Sequence, residues 1–312
     1  MRSMKFLALA AALSLGACSD NNAKIDGPVV KKDTTATPGS DAVFPATSLL
    51  QTVVNKYQLP QSGTDYPFDF GSGPKNKLGT LVQVLNGAGF NLQNNLDETV
   101  QGGAFLLLLE LFGKSLADDA NTGVEANLGT GKGGAITDAG APAPNFTGTG
   151  EFTIKTGTTT LKLAGKITGG KLTAAGDLLI TIPAGDDASK YPLVTIKKGR
   201  LEAIVADSAT SAMTSGKING LLPWTDVTTK IIPAMQVSVD KAYKDPNTAA
   251  ATKTLMKTLF DVNGDGTITV DEITNSAALK LVLSPDVDGG SGTLDSMSVG
   301  MGFTAVKAKI VK

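Results

Sequence analysis

Between residues 261 and 272 the chain reads Asp-Val-Asn-Gly-Asp-Gly-Thr-Ile-Thr-Val-Asp-Glu, with oxygen-bearing side chains at Asp261, Asn263, Asp265, Thr267, Thr269 and Glu272. Hard divalent cations such as Ca2+ take six to eight oxygen ligands, so this stretch has the donor chemistry for one ion. Gly266 stands in its middle, where a residue without a Cβ lets the backbone turn through positive φ at no steric cost. Catalytic chemistry is poorly provided for by comparison. The chain has no histidine, which removes Ser-His-Asp and Cys-His arrangements, histidine-based zinc sites and the usual proton shuttle of neutral pH. Gly113-Lys114-Ser115 ends like a phosphate-binding loop, but Leu108 occupies the place of the first glycine and Leu109, Leu111 and Phe112 fill positions that need an open backbone. Asp118/Asp119 and Asp186/Asp187 are adjacent carboxylates in loop-like contexts. They read as solvated turns, because sequence neighbours rarely face each other across a substrate.

The 261–272 stretch resembles the calcium loop of the EF-hand family, which supplies its oxygens from positions 1, 3, 5, 7, 9 and 12 and turns on a glycine at 6. The resemblance implies direct ligation by Asp261, Asn263 and Asp265, a backbone carbonyl from Thr267, a water-mediated contact from Thr269 and two closing oxygens from Glu272. Ile268, at position 8, would anchor the loop to its neighbour. The flanks suit the two helices of that motif. Asp245-Pro246 can cap and open an entering helix, along which Leu255, Met256, Leu259 and Phe260 form adjacent apolar rows. Ile273, Ala277 and Leu281, with Ala278 and Val282 beside them, suggest the exiting one. A second acidic run, Asp286, Asp288, Gly290, Gly292 and Asp295, lies where a paired loop would fall. Ser298 replaces its closing glutamate. It is readable either as a shorter Asp-x-Asp-x-Asp-Gly-type calcium loop using Asp286, Asp288 and Asp295, or as a Gly-rich turn capped by aspartates. The similar outline at Asp69-Phe-Gly-Ser-Gly-Pro-Lys-Asn76 lacks most of the carboxylates and reads as a plain loop.

At the other end, Arg2 and Lys5 precede the apolar run from Phe6 to Leu15, followed by Leu15-Gly16-Ala17-Cys18. This resembles the signal and lipobox of bacterial lipoproteins, with 1–17 as signal peptide, too short for a membrane span. The resemblance implies acylation of Cys18 and anchoring to a membrane. Cys18 is the one cysteine, so no intramolecular disulfide is available to a chain bound for an oxidising compartment. In lipoproteins of diderm bacteria, serine after the acylated cysteine points to the outer membrane, and Ser19 occupies that place. Residues 18–43 are polar and rich in Asn, Thr, Pro, Gly and Lys, the composition of a flexible tether. Removing the signal leaves 26 basic residues against 29 acidic, a formal charge of −3. Such a balance gives no electrostatic pull toward nucleic acid.

The remaining chain has the composition of a globular protein: 41% hydrophobic residues are enough for a sizeable core, and 5% aromatic are few for a carbohydrate-stacking surface. Residues 44–145 read as mixed. Leu49, Leu50, Val53 and Val54, and then Leu78, Leu81, Val82 and Leu85, have helical spacing, whereas Ala104 to Phe112 reads as a buried strand. Residues 129–145 look like a long loop. Residues 146–240 read as antiparallel β, with a Gly169-Gly170 hairpin and alternating apolar faces at Leu178, Ile180, Ile182 and at Leu201, Ala203, Val205. In 241–312 the calcium segment is followed by a final strand in which Met297, Val299, Met301 and Phe303 alternate with small residues. The expected class is α+β: an antiparallel β-rich body, meander or sandwich, with N-terminal helices and an EF-hand near the C-terminus.

The order of parts is similar to that of bacterial surface lipoproteins carrying calcium loops. The expectation is a lipid-anchored protein of the cell envelope, attached to the membrane through Cys18, with structural Ca2+ and a β-rich body that contacts an envelope or extracellular partner. An envelope hydrolase using carboxylates or a Ser-Lys pair would instead need a deep polar pocket. A carrier of an apolar ligand would need a large dry cavity.

Overall fold

The computed structural model describes residues 44–45, 47–71, 73–87, 92–131, 145–182, 192–277, 280 and 283–312. The residues read as a lipoprotein signal with Cys18 and as a tether, and Asp186, Asp187, Ala278, Leu281 and Val282, lie outside them. Eleven strands are present among the described residues: β1 Leu50–Gln58, β2 Phe68–Asp69, β3 Pro74–Lys75, β4 Leu107–Phe112, β5 Asp119–Thr130, β6 Gly150–Ile154, β7 Leu161–Thr168, β8 Lys171–Thr181, β9 Leu193–Val205, β10 Met213–Pro223 and β11 Ser296–Val311. The helices are α1 Lys77–Gly87, α2 Leu92–Gln101, α3 Trp224–Asp226, α4 Ile232–Lys244, α5 Ala250–Phe260 and α6 Val270–Asn275. A π-helical turn, Val227–Ile231, joins α3 to α4.

Strands β1, β4, β5, β7, β8, β9, β10 and β11 pair in that order, each antiparallel to the next, and β11 pairs back onto β1. The sheet therefore closes into an eight-stranded antiparallel barrel rather than splitting into the two sheets of a sandwich. From β7 to β10 consecutive strands are neighbours joined by short connections, the meander expected, and β11 joins beside β10 after the helices. Closure needs strands that bend. Register shifts supply the bends, and Lys198 and Ser215 take left-handed backbone (φ of 49° in both) within or beside two of them. Gly216 is needed for contact: a Cβ there would lie 2.5 Å from the ring of Phe303.

A barrel of eight strands is just wide enough to be filled by side chains. Leu50, Val54, Leu107, Leu109, Leu111, Leu163, Leu172, Leu201 and Phe303 belong to one continuous buried cluster. The opposite face of β1, β4 and β11 is also buried: Val53, Leu106, Leu108, Val306 and Ile310 form a second cluster around Phe152 of β6. β6 pairs in parallel with the end of β11 and antiparallel with the end of β5, lying over that outer face.

This double burial explains the first departure from expectation. Leu50, Val53 and Val54 lie in strand β1, not in a helix. With Val53 buried on one face and Leu50 and Val54 on the other, the apolar residues do not alternate, and their spacing cannot be told from that of a helix. α1 and β4 match their readings, as do the Gly169-Gly170 turn and the long final strand. Trp224–Lys244 is a second departure, helical where continued β was expected. Asp245 is a third. It caps the end of α4, its N–H bonded to the Lys241 carbonyl and its Oδ1 accepting from the Asn247 N–H, and α5 begins only at Ala250.

The helices from α3 to α6 enter between β10 and β11, which are themselves paired from Met213↔Ala305 to Pro223↔Ser296. Val227, Ile231, Met235, Met256, Phe260, Ile268 and Ile273 are continuous with the main cluster. The 261–272 loop is thus built on the barrel core rather than hung from a tail.

Candidate metal centre

α5 leads into the loop with Met256, Leu259 and Phe260 buried, and α6 leads out with Ile273 buried. Thr269 caps α6 reciprocally: its Oγ1 accepts from the Glu272 N–H, while Glu272 Oε2 accepts from the Thr269 N–H at 2.9 Å. This capping box satisfies two end groups of the helix and fixes Glu272 on the loop side, where its Oε1 lies 3.5 Å from the Asn263 N–H. Gly264 and Gly266 adopt positive φ, 74° and 82°, as the turn at the glycine position requires.

Inside the loop the polar side chains point back onto its own backbone. Asn263 Oδ1 accepts from the Asp265 N–H, Asp265 Oδ1 from the Thr267 N–H, and Asp261 Oδ2 from the Gly266 N–H. Asp261 is the buried member, 3% exposed, and its Oδ2 also accepts from the Tyr243 hydroxyl at 2.9 Å. That bond, more than burial or the charges of Asp261 and Asp265, raises the Tyr243 phenol above its ordinary range. The other carboxylate oxygen, Asp261 Oδ1, is buried with no hydrogen-bond donor. Leaving such an oxygen desolvated and unpaired is costly.

The loop's neighbour is α4. Asp240 Oδ1 accepts from the Ile268 N–H at 3.0 Å, and Gln236 Nε2 donates to the Ile268 carbonyl at 2.7 Å. Both backbone groups of Ile268 are therefore satisfied by α4 side chains, and its own side chain is fully buried. Sequence reading identified Ile268 as an anchor but missed Gln236, Asp240 and Tyr243, because their role depends on how α4 packs.

The second acidic run is not paired with this loop. Asp286 holds Ser298 with both oxygens, Oδ1 accepting from its N–H and Oδ2 from its hydroxyl, each at 2.7 Å. Asp288 Oδ1 accepts from the Gly290 and Gly292 N–H groups, and Asp295 Oδ1 from the Gly289 N–H and the Ser296 hydroxyl. Asp69 Oδ1 caps Gly71 and Gly73 in the same manner. Ser298 is fully buried, and its hydroxyl also accepts from the Lys77 N–H. Asp286→Ala should therefore destabilise the protein by about 2–4 kcal/mol, the cost of stranding two buried donors, measured as a lowered urea midpoint. If Asp286 is only a brace, calcium affinity stays unchanged in this variant; a parallel loss of bound metal would make it a ligand.

Among the described residues no group of three or more His, Cys, Asp or Glu side chains converges tightly enough to hold a metal by itself. Asp261, Asp265 and Glu272 thus form an open set, each engaged with loop amides. Asp118 and Asp119 do not face each other across a cleft. Asp118 Oδ1 accepts from the Gly169 N–H, and the amides of Asn121 and Lys114 hold the Asp119 carboxyl below the usual range. Compared with protein-family models, with curated proteins and with solved structures, the chain matches none.

Proposed function

We propose that the chain is a lipid-anchored calcium-binding protein of the bacterial envelope, in which the ion braces the fold and the barrel serves as an interaction or structural module. The reading rests on one observation above the others. A buried carboxylate oxygen, Asp261 Oδ1, has no donor in a loop where five further residues carry oxygens at calcium-loop spacing. A cation would compensate that oxygen, and the residues to hold it are Asp261, Asn263, Asp265, the Thr267 carbonyl and Glu272, with Thr269 through water. When bound, the ion supplies the positive charge that the loop lacks. The rest of the work is done by the chain: Tyr243 orients Asp261, the capping box orients Glu272, and α4 holds Ile268.

The lipidated N-terminus rests on the lipobox at Leu15-Gly16-Ala17-Cys18. For an extracellular or periplasmic brace, affinities of about 10⁻⁴ to 10⁻³ M suffice. Calorimetric titration of the purified chain with CaCl2 should show one ion per chain at this loop, with Mg2+ binding weaker because it demands near-ideal octahedral geometry. A titration that remains flat at millimolar calcium removes the proposal.

A further inference from the structure

Beside the loop, α4, α5 and Gly266 line a shallow, open depression of roughly 390 Å³, bounded by Tyr243, Lys244, Lys253, Thr254, Lys257 and Gly266. All charged residues of this lining are cationic. Lys244 is paired with Asp240 at 2.8 Å. Lys253 and Lys257 have no carboxylate partner among the described residues and stand at i and i+4 on α5, where like charges oppose each other. The Thr254 hydroxyl donates to the Ala250 carbonyl and the Tyr243 hydroxyl to Asp261. The lining therefore holds two lysines whose donors are not engaged with a carboxylate, and no carboxylate belongs to it.

We propose that this pocket binds a phosphoryl group, its negative charge compensating Lys253 and Lys257 and its oxygens accepting their hydrogen bonds. Lysine binds phosphate as a point charge with three rotatable donors, and two lysines one helical turn apart carry charge enough for a dianion rather than a single carboxylate. The site does not depend on the calcium reading. A cation in the adjacent loop would add to the positive field at Gly266, so the lysines are isolated by working in EDTA.

The test uses the full chain carrying Cys18→Ser, so that no acyl tether interferes. Pyrophosphate is titrated calorimetrically, and sedimentation is measured with phosphatidylcholine vesicles with and without phosphatidic acid. Lys253→Gln/Lys257→Gln should weaken binding at least tenfold, whereas Lys166→Gln/Lys217→Gln, which removes the same charge from β7 and β10, should change it less than twofold. Saturable pyrophosphate binding without vesicle binding assigns a soluble phosphorylated ligand. Vesicle binding that needs phosphatidic acid and is competed by pyrophosphate assigns a lipid headgroup. If neither probe binds, or if both double variants lose binding equally, the pocket is not a phosphoryl site. Calcium titration of the same variants remains an independent measurement, so failure here and failure of the calcium reading are told apart.

Discussion

Glu272→Gln should weaken calcium binding by at least about a hundredfold while leaving the barrel intact. Losing a group that merely orients a ligand typically costs 10–100-fold in metal affinity, and Glu272 is the one residue expected to give two oxygens and a full charge. Its carboxylate is already placed for that work by the Thr269 N–H and hydroxyl, both at 2.9 Å. Glutamine is equally suited to the third helical position of a capping box, so α6 should still form. Calorimetry reads the affinity and circular dichroism the fold. An affinity within threefold of the parent chain would show that the ion, if bound, sits elsewhere.

The second large effect concerns the sign of a stability change. At a calcium concentration a hundred times its dissociation constant, a site present only in the folded state adds about 2.7 kcal/mol, which for a chain of this size raises the melting temperature by roughly 4–5 °C. Asp261→Asn should abolish that rise. Without calcium, the same variant should melt no lower than the parent, and this is the discriminating part. The parent has a buried carboxylate with Oδ1 unpaired, whereas asparagine removes the desolvated charge and its amide oxygen can still accept from Tyr243 and Gly266. A purely structural aspartate predicts the reverse, a substantial loss of stability with or without the ion. Differential scanning calorimetry in EDTA and in excess calcium separates the two.

Much of the 261–272 loop was legible because its chemistry is local. Six oxygen-bearing residues and a glycine within twelve positions need only a turn to bring them near one another, and Gly266 takes the expected positive φ, whereas the capping box between Thr269 and Glu272 was not anticipated. The same holds for the Gly169-Gly170 hairpin, α1, and the last strand, whose alternation survives in β11. Reading failed where burial came from distant elements. β1 looked helical because β6, about a hundred residues later, covers its outer face through Phe152. Asp245 looked like the start of a helix because the proline after it, Pro246, suits the first position of a helix and equally the place just past the end of one. The acidic run at 286–295 reads two ways in sequence, and only the fold shows that Asp286 takes Ser298, twelve residues and a strand start away, under both its oxygens.

By itself, the order of amino acids determined the local chemistry: oxygen-bearing side chains at calcium-loop spacing, a single cysteine after Leu15-Gly16-Ala17, the absence of histidine, and antiparallel strands joined by short turns. Only the tertiary structure decided that those strands close into one barrel, that α4 supplies Gln236, Asp240 and Tyr243 to the loop, and that Lys253 and Lys257 flank a pocket beside it. The division follows from range. Turn geometry and ligand spacing are set within a few bonds, whereas closure, burial of both faces of a strand and the pairing of a carboxylate with a remote hydroxyl arise from contacts between segments that no local pattern specifies.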